Sequence, residues 1–371
     1  MRRIGAFAGW MFLAVVLGVA VHGQTLCSYR LPVSSIETAG LSFAYRYFND
    51  AATPEVDQNH GSIIGDYARV YDAESIGYSA SLNTLVALVD WKPAQWQVRG
   101  AVAYRYYISS ERPLFGYGAI WGESDTGLPS PGLELRGGIG YGRFHDVTPL
   151  AQAHRLSALL MSLGSIAKPL PSRVLQQVAD AIAEDDEESS ADDVIAAIES
   201  LIEGETGGSL DAKALLSIEE EILLPSAIGQ RFCGVVVQLG AGQELLDVLG
   251  GPKDFLYVMS ADMAYPPTPL SQLRARFSFS SSVESFLADN KTLLEASYVA
   301  EIHELASFGA RFETQAVHTS GAPTVRTHSG TASLSLGRGG ATLVASLGVS
   351  RTSGDSAWTV DLSVSIAMDI L

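Results

Sequence analysis

The chain has 371 residues, of which 47% are hydrophobic and only 18% are charged. Average soluble domains carry about 25% charged residues, and this much apolar surface excludes disorder over most of the length. Acidic residues outnumber basic ones 41 to 24, which disfavours nucleic-acid binding because that function requires a basic surface. Two cysteines are too few for a disulfide-dense scaffold.

The first 23 residues have the three-part plan of a secretory signal peptide. Arg2 and Arg3 give a positive start, an uncharged apolar run continues to Val21, and small residues near Gly23 offer a cleavage site. A retained membrane anchor is the alternative, because the run approaches the length of a membrane-spanning helix. No later apolar run is that long, so a mature chain that enters a membrane must do so as a closed β-barrel.

Apolar and polar residues alternate over long stretches of the remaining chain, which is the pattern of β-strands with two different faces. From Trp358 to Ile370 every second residue is apolar, and small or polar residues lie between them. A soluble strand usually has about 5–6 residues, whereas a membrane-crossing strand needs about 9–11. Fourteen strands are predicted, at about 26–34, 38–50, 61–73, 76–91, 95–108, 131–145, 229–243, 254–266, 271–283, 291–302, 305–318, 323–338, 340–352 and 356–371. Twelve is the alternative number, because the first pattern is weak.

The predicted connections alternate between the two sides of a membrane. If both termini lie in the periplasm, the turns at Trp91–Gln95 and Gly337–Gly340 are periplasmic and the loop 109–130 is external. This arrangement agrees with the short periplasmic turns and long external loops of bacterial barrels. The connection at 51–60 is long for a periplasmic turn.

Residues 146–228 have helical periodicity instead. Thr148 fits a helix N-cap followed by proline at the first helical position, and Gly164 ends that helix. The four helices are predicted at about 148–164, 172–184, 190–204 and 210–223. Between Asp146 and Glu221 there are 16 acidic and 4 basic residues, including the run 184–188, which is predicted to be a solvated loop. We interpret the segment as a periplasmic helical insert, either a solvated structural unit or a partner-binding module.

No arrangement typical of an enzyme or of a cofactor site stands out. Glycines alternate from Gly138 to Gly142, but Arg143 stands where a dinucleotide fingerprint needs glycine; alternate glycines leave room for bulky neighbours or a bend. Cys27 and Cys233 could form a disulfide in an oxidising periplasm, but they fall on well-separated predicted strands, so this pairing is not expected. The chain is therefore predicted to be no enzyme and to hold no cofactor and no metal.

Charged residues at the polar positions of strands are predicted to line the lumen. A charge that faces lipid costs about 2–4 kcal/mol at the bilayer midplane, so these side chains are assigned inward. They either neutralise one another or filter solutes by charge, as charged rings do in pores. The predicted lumen-lining residues are Arg46, Arg99, Arg105, Arg136, Arg274, Arg276, Arg311, Glu134, Glu295, Glu301, Glu313 and Asp361.

The signal peptide and the terminal alternating strand Trp358–Leu371 resemble those of Gram-negative-type outer-membrane β-barrel proteins as a class. The resemblance implies an all-β transmembrane antiparallel up-and-down β-barrel of about 12–14 strands with a small α-helical insert, located in the cell outer membrane. The predicted organisation is a signal peptide at 1–23, barrel segments at 24–145 and 229–371, and the acidic helical insert at 146–228. Expected partners are outer-membrane lipid, the barrel assembly machinery and a periplasmic partner of the insert, but no nucleic acid.

The predicted function is that of a porin-like channel for the passive transport of small solutes. A closed outer-membrane barrel with a structural, adhesion or partner-binding role is the first alternative. A periplasmic or secreted all-β binding protein is the second.

Overall fold

The computed structural model describes residues 26–48, 58–109, 112–127, 129–183, 191–223, 230–246, 254–286, 288–303, 306–338, 341–355 and 357–369. The predicted signal peptide at 1–23 and the acidic run at 184–188 lie outside these residues.

The described residues form fourteen strands and four α-helices. The strands are β1 (Ser34–Phe48), β2 (Gln58–Asp72), β3 (Ile76–Val89), β4 (Lys92–Tyr107), β5 (Leu114–Asp125), β6 (Gly132–Asp146), β7 (Phe232–Leu246), β8 (Phe255–Tyr265), β9 (Ser271–Ser282), β10 (Asn290–His303), β11 (Ala306–His318), β12 (Val325–Arg338), β13 (Ala341–Thr352) and β14 (Thr359–Asp369). The helices are α1 (Thr148–Leu163), α2 (Ser172–Ala183), α3 (Ala191–Thr206) and α4 (Ala212–Leu223), all between β6 and β7. Among all the described residues, no helix is long and apolar enough to cross a membrane.

Each strand pairs with its neighbours in chain order, and β1 also pairs with β14. The described strands therefore form a closed barrel of antiparallel, up-and-down topology, as the alternation predicts. The fourteen described strands have 11 to 16 residues each, a length suited to crossing a bilayer.

Two strand predictions are wrong, and they cancel in the total. Residues 26–34 do not form a full strand, because Leu26–Ser28 is a single 3-10 turn and β1 begins only at Ser34. The predicted loop 109–130 contains β5, in which Phe115 and Tyr117 alternate with glycines. The first error reverses the predicted direction of β1 to β4. The Asp90–Trp91 turn consequently lies at the opposite end of the barrel from the start of β1.

Contacts divide the chain into two units. The barrel unit comprises 32–144, 235–263 and 274–371, and the helical unit comprises the described residues up to Leu31, 145–234 and 264–273.

The strands of the barrel unit have one apolar and one polar face. Successive register pairs join Ala80, Val102, Ile120 and Leu135 across β3 to β6, and Val102, Ile120 and Leu135 are exposed. On the opposite face, Arg105 and Glu134 are buried. Because outward side chains of an isolated barrel are uncovered, the apolar face is the outer face and the polar face is the inner face.

Glycines allow a close approach between β6 and β7. A Cβ added at Gly138 would lie 2.2 Å from the carbonyl oxygen of Leu239, and one at Gly142, where φ is +114°, would lie 1.8 Å from that of Val235. At Gly140 the added atom would lie 2.3 Å from the ring of Phe115. Only glycine leaves space for the neighbouring backbone and this ring, which agrees with the interpretation of the alternating glycines.

The helical unit has its own hydrophobic core. Apolar faces of all four helices meet in one buried cluster, which includes Leu156 of α1, Val178 of α2, Ile198 of α3 and Ile218 of α4. Burial of such faces stabilises short helices more than intrinsic propensity does.

The helix ends agree only partly with the predicted signals. Gly164 ends α1 with φ of +78°, as predicted. Thr148 is already helical, so it is not the N-cap; its hydroxyl accepts the backbone N–H of Arg231 at 2.7 Å. Helix α3 continues past the predicted stop at Gly204 to Thr206, and Gly207 follows it with φ of +70°.

The segment before β1 is packed in the helical unit. Leu26 and Tyr29 are buried in its core, and the Tyr29 hydroxyl donates to Asp180 Oδ1 at 3.0 Å. Cys27 and Cys233 form a disulfide, with Cα atoms 5.4 Å apart. The expectation of two separate cysteines is therefore wrong, because Cys27 lies in the turn before β1 and not on a strand of the barrel.

Candidate functional site: the inner face of the barrel

The strand register brings most of the predicted lumen-lining residues to the inner face. From β10 to β14 one inner row joins Ser297, Arg311, Thr331, Gly348 and Asp361. The apolar side chains of Leu362 and Val364 on β14 are exposed on the outer face, which places Asp361 inward, since successive side chains alternate.

Arg311 and Arg276 form ion pairs on this wall and remain open to solvent. Arg311 lies 3.2 Å from Glu295 and 3.1 Å from Glu313, and its side chain is 57% exposed. Arg276 lies 2.6 Å from Asp262, with its side chain 61% exposed. The pairs fix the positions of the guanidinium groups without removing them from water.

Two further predicted residues belong to the same wall. Arg274 lies two residues before Arg276 on β9, so the two share a face, and it is exposed. Glu301 pairs in register with Ser307, next to a bulge in β10. We name β8 to β14 with these charges the open wall.

The opposite wall carries a buried cluster of charges. The side chain of Asp72 is 1% exposed and lies 3.6 Å from Arg105 and 3.7 Å from Arg143. The Tyr107 hydroxyl donates to the same carboxylate at 2.9 Å, and the Arg143 guanidinium stacks 3.9 Å from the centre of the Tyr107 ring. We name these four residues the Asp72 cluster.

Aromatic side chains fill the inner space beside the Asp72 cluster. Tyr107, Phe115 and Val236 are buried against each other, with Tyr117 and Phe144 packed around them. This packing closes part of the inner face over β4 to β7.

The remaining predicted residues form local pairs. Arg136 donates two hydrogen bonds to Glu134, at 2.7 and 2.8 Å. Arg99 lies 3.6 Å from Glu123 with its own side chain more than half exposed. The side chain of Arg46, on β1, lies outside the described part of the chain.

Sequence reasoning missed Asp72 and Arg143. Asp72 ends β2 at an inner position, so the alternation contained the signal. Arg143 occupies an odd position of β6, a strand whose odd residues Leu135, Ile139 and Tyr141 are exposed on the outer face. Gly142, with φ of +114°, precedes Arg143 and interrupts this alternation, an effect that periodicity cannot anticipate.

Among the described residues, no three or more histidine, cysteine, aspartate or glutamate side chains gather as metal ligands would. The outer apolar band, the polar lining and the closed antiparallel topology together are the architecture of an outer-membrane-type β-barrel.

Comparison with known proteins finds distant structural likenesses alone. No family model and no curated protein matches the chain. A solved structure titled CymD monoaromatic hydrocarbon channel is 9% identical, with 95% of this chain and 92% of that chain covered and a TM-score of 0.32. A triple mutant of the Rhodopseudomonas blastica porin is 9% identical, with 91% and 100% covered and a TM-score of 0.27. CdiB from Acinetobacter baumannii is 9% identical, with 91% and 60% covered and a TM-score of 0.35.

Proposed function

We propose that the protein is a channel of the outer membrane through which small polar solutes pass passively. The observation that carries this proposal is the exposure of Arg276 and Arg311, whose charged side chains lie on the inner face but remain more than half exposed. A lumen filled by side chains would bury these groups, at a cost of several kcal/mol per charge. Their exposure therefore favours a water-filled space along the open wall.

The inner face of the last strands adds hydroxyl groups to this space. Ser346 lies 2.8 Å from Ser363 across β13 and β14, and Ser329 pairs in register with Ser350. Small polar side chains leave width for a solute and offer both donors and acceptors of hydrogen bonds. The path of a solute is accordingly assigned to the open wall and not to the aromatic side.

The charges of the open wall sum to a negative value. Arg274, Arg276, Lys291 and Arg311 give +4, whereas Asp262, Glu295, Glu301, Glu313 and Asp361 give −5, so the difference is −1. A pore lined by an excess of carboxylates favours cations. We expect weak cation selectivity.

The test is ion conductance of the refolded protein in a planar bilayer with a salt gradient. Glu313→Gln should move the reversal potential toward anions, and Arg311→Gln should move it toward cations. Leu347→Ala, on the outer face of β13, should change neither conductance nor selectivity. If protein whose folding is verified by heat-modifiable gel migration never conducts, the channel proposal is wrong.

A closed barrel is the second candidate, and the aromatic packing around Phe115 favours it. Phe115 has no exposed surface and fills the space above Gly140. Absence of conductance in folded protein would support this candidate and leave a structural or binding role.

The same proposal places the helical unit in the periplasm, where its net negative charge suits a basic partner. It also includes export of the chain by the signal peptide and insertion of the barrel by the barrel assembly machinery. Protease added to intact cells should then leave the helical unit uncut and cleave the turn at 319–324, which lies at the opposite end of the barrel from the start of β1. Cleavage within the helical unit of intact cells would contradict this orientation.

A further inference from the structure

An ion pair interrupts the apolar outer face near one end of the barrel. Glu37 of β1 and Arg69 of β2 are register partners, and their charged groups lie 3.5 Å apart. Arg69 in turn pairs with Ala80, which begins the outer row that continues through the exposed Val102 and Ile120. The register therefore places both charges on the surface that faces lipid.

The position of this pair limits what it can contact. Arg69 lies three residues before the end of β2, close to the barrel rim. A charge facing lipid costs about 2–4 kcal/mol at the bilayer midplane but only about 0–1 kcal/mol near the interface. The pair is thus suited to the depth of lipid headgroups.

Tyrosine side chains surround the pair. The Tyr67 hydroxyl donates to Glu37 Oε1 at 2.8 Å, and the Arg69 guanidinium lies 5.8 Å from the centre of the Tyr78 ring. Tyr71 stacks on Tyr78 with ring centres 5.2 Å apart. Tyrosine is enriched at the membrane interface because its ring is apolar and its hydroxyl is polar.

The pair has hydrogen-bonding capacity in reserve. The side chains of Arg69 and Glu37 are 42% and 41% exposed. A guanidinium has five N–H donors and a carboxylate about four acceptor sites, so the internal contacts leave both groups able to bind a further partner.

We propose that Glu37 and Arg69 bind the headgroup of a zwitterionic phospholipid that carries a primary ammonium group. The phosphate would accept hydrogen bonds from Arg69, which recognises phosphate through paired donors. The ammonium would donate to Glu37. An anionic headgroup without an ammonium would meet the repulsion of Glu37, and a quaternary ammonium has no N–H to donate. This inference concerns the outer surface and does not depend on conduction through the lumen.

The test offers the full protein, in mild detergent, equal amounts of phosphatidylethanolamine, phosphatidylcholine and phosphatidylglycerol. Native mass spectrometry identifies the lipid retained most tightly. A charge-assisted hydrogen bond of the usual strength predicts retention of phosphatidylethanolamine over phosphatidylcholine by about tenfold or more. Equal retention of the three lipids by the unmodified protein would refute the proposal.

Variants separate the two contacts. Glu37→Gln should abolish the preference for phosphatidylethanolamine and increase retention of phosphatidylglycerol, because Arg69 is then uncompensated. Arg69→Gln should lose phosphatidylethanolamine without gaining phosphatidylglycerol. The matched control is Glu123→Gln, which removes a similarly spaced ion pair from the inner face and should retain lipid like the unmodified protein. If Arg69→Gln does not fold, Glu37→Gln alone decides, and an unchanged preference in that variant contradicts the proposal.

Discussion

Asp72→Asn is the sharpest test of the packing on the inner face. The carboxylate of Asp72 is 1% exposed and lies between two guanidinium groups, at 3.6 Å from Arg105 and 3.7 Å from Arg143. At such distances one charge pair has a Coulomb energy of about 4–5 kcal/mol at an effective dielectric constant of about 20, against about 1 kcal/mol in water. Asparagine keeps the acceptor for Tyr107 but leaves the buried guanidinium of Arg105 and the partly buried guanidinium of Arg143 without a counter-charge.

Removal of one partner from a buried ion pair costs about 3–5 kcal/mol, and we expect Asp72→Asn to lower the free energy of unfolding by this amount. The control is Asp262→Asn. Its contact with Arg276 is shorter, at 2.6 Å, but the Arg276 side chain is 61% exposed, so we expect a loss of less than about 1 kcal/mol. Burial, and not distance, decides between the two.

Unfolding by guanidinium in detergent micelles, followed by tryptophan fluorescence, measures both losses. Equal losses for the two variants, or a larger loss for Asp262→Asn, would refute the reasoning. Such a result would mean that the Asp72 cluster is hydrated.

Three further predictions concern other parts of the molecule. Gly140→Ala should lower the free energy of unfolding by about 1–3 kcal/mol because the added methyl group meets the ring of Phe115. Gly118→Ala, with nothing within 4 Å of the added atom, should have little effect. Heat-modifiable gel migration after refolding compares the two variants. Cys27→Ser, which also leaves Cys233 unpaired, should destabilise the helical unit by about 2–4 kcal/mol, measured by thermal circular dichroism at helical wavelengths, and an unchanged melting profile would contradict this. A hydrogen bond from the Ser285 hydroxyl, aided by one from the backbone N–H of Ser320, lowers the pKa of Asp289. The ionised form of Asp289 is therefore favoured in the folded protein, so its contribution to stability is present above pH about 4 and is lost as pH falls through the lowered pKa. Hydrogen exchange in the turn between β9 and β10 should be faster in Asp289→Asn than in the unmodified protein at pH 7, and this difference should disappear at low pH.

The period-two pattern was sufficient to predict the closed barrel but not every strand. It failed at β5 because glycines alternate with Phe115 and Tyr117, so the outer face has no apolar side chain between Leu114 and Ile120. It failed at 26–34 because Leu26 and Tyr29 are apolar for another reason, namely burial among helices. Periodicity records that a side chain is covered but not which element covers it.

Contacts between distant parts of the chain were the least predictable. The disulfide joins residues 206 positions apart, and no local signal encodes such a pairing. The inner charges were accessible from alternation, as Arg276 and Arg311 illustrate. The partners of those charges depend on the register of the strands, because a shift of one residue in the pairing would turn the charged side chains to the other face.

The seam between the two terminal strands, β1 and β14, affects where the barrel opens locally. In the described residues, β1 and β14 share four register pairs, from Gly40–Asp369 to Phe43–Ile366, whereas β1 and β2 share fifteen. Fewer hydrogen bonds hold this line than the neighbouring one, so local opening requires less free energy there. Thermal fluctuations should therefore part the ring between β1 and β14 before they part it between β1 and β2, and amide protons along the seam should exchange with solvent sooner than those between β1 and β2.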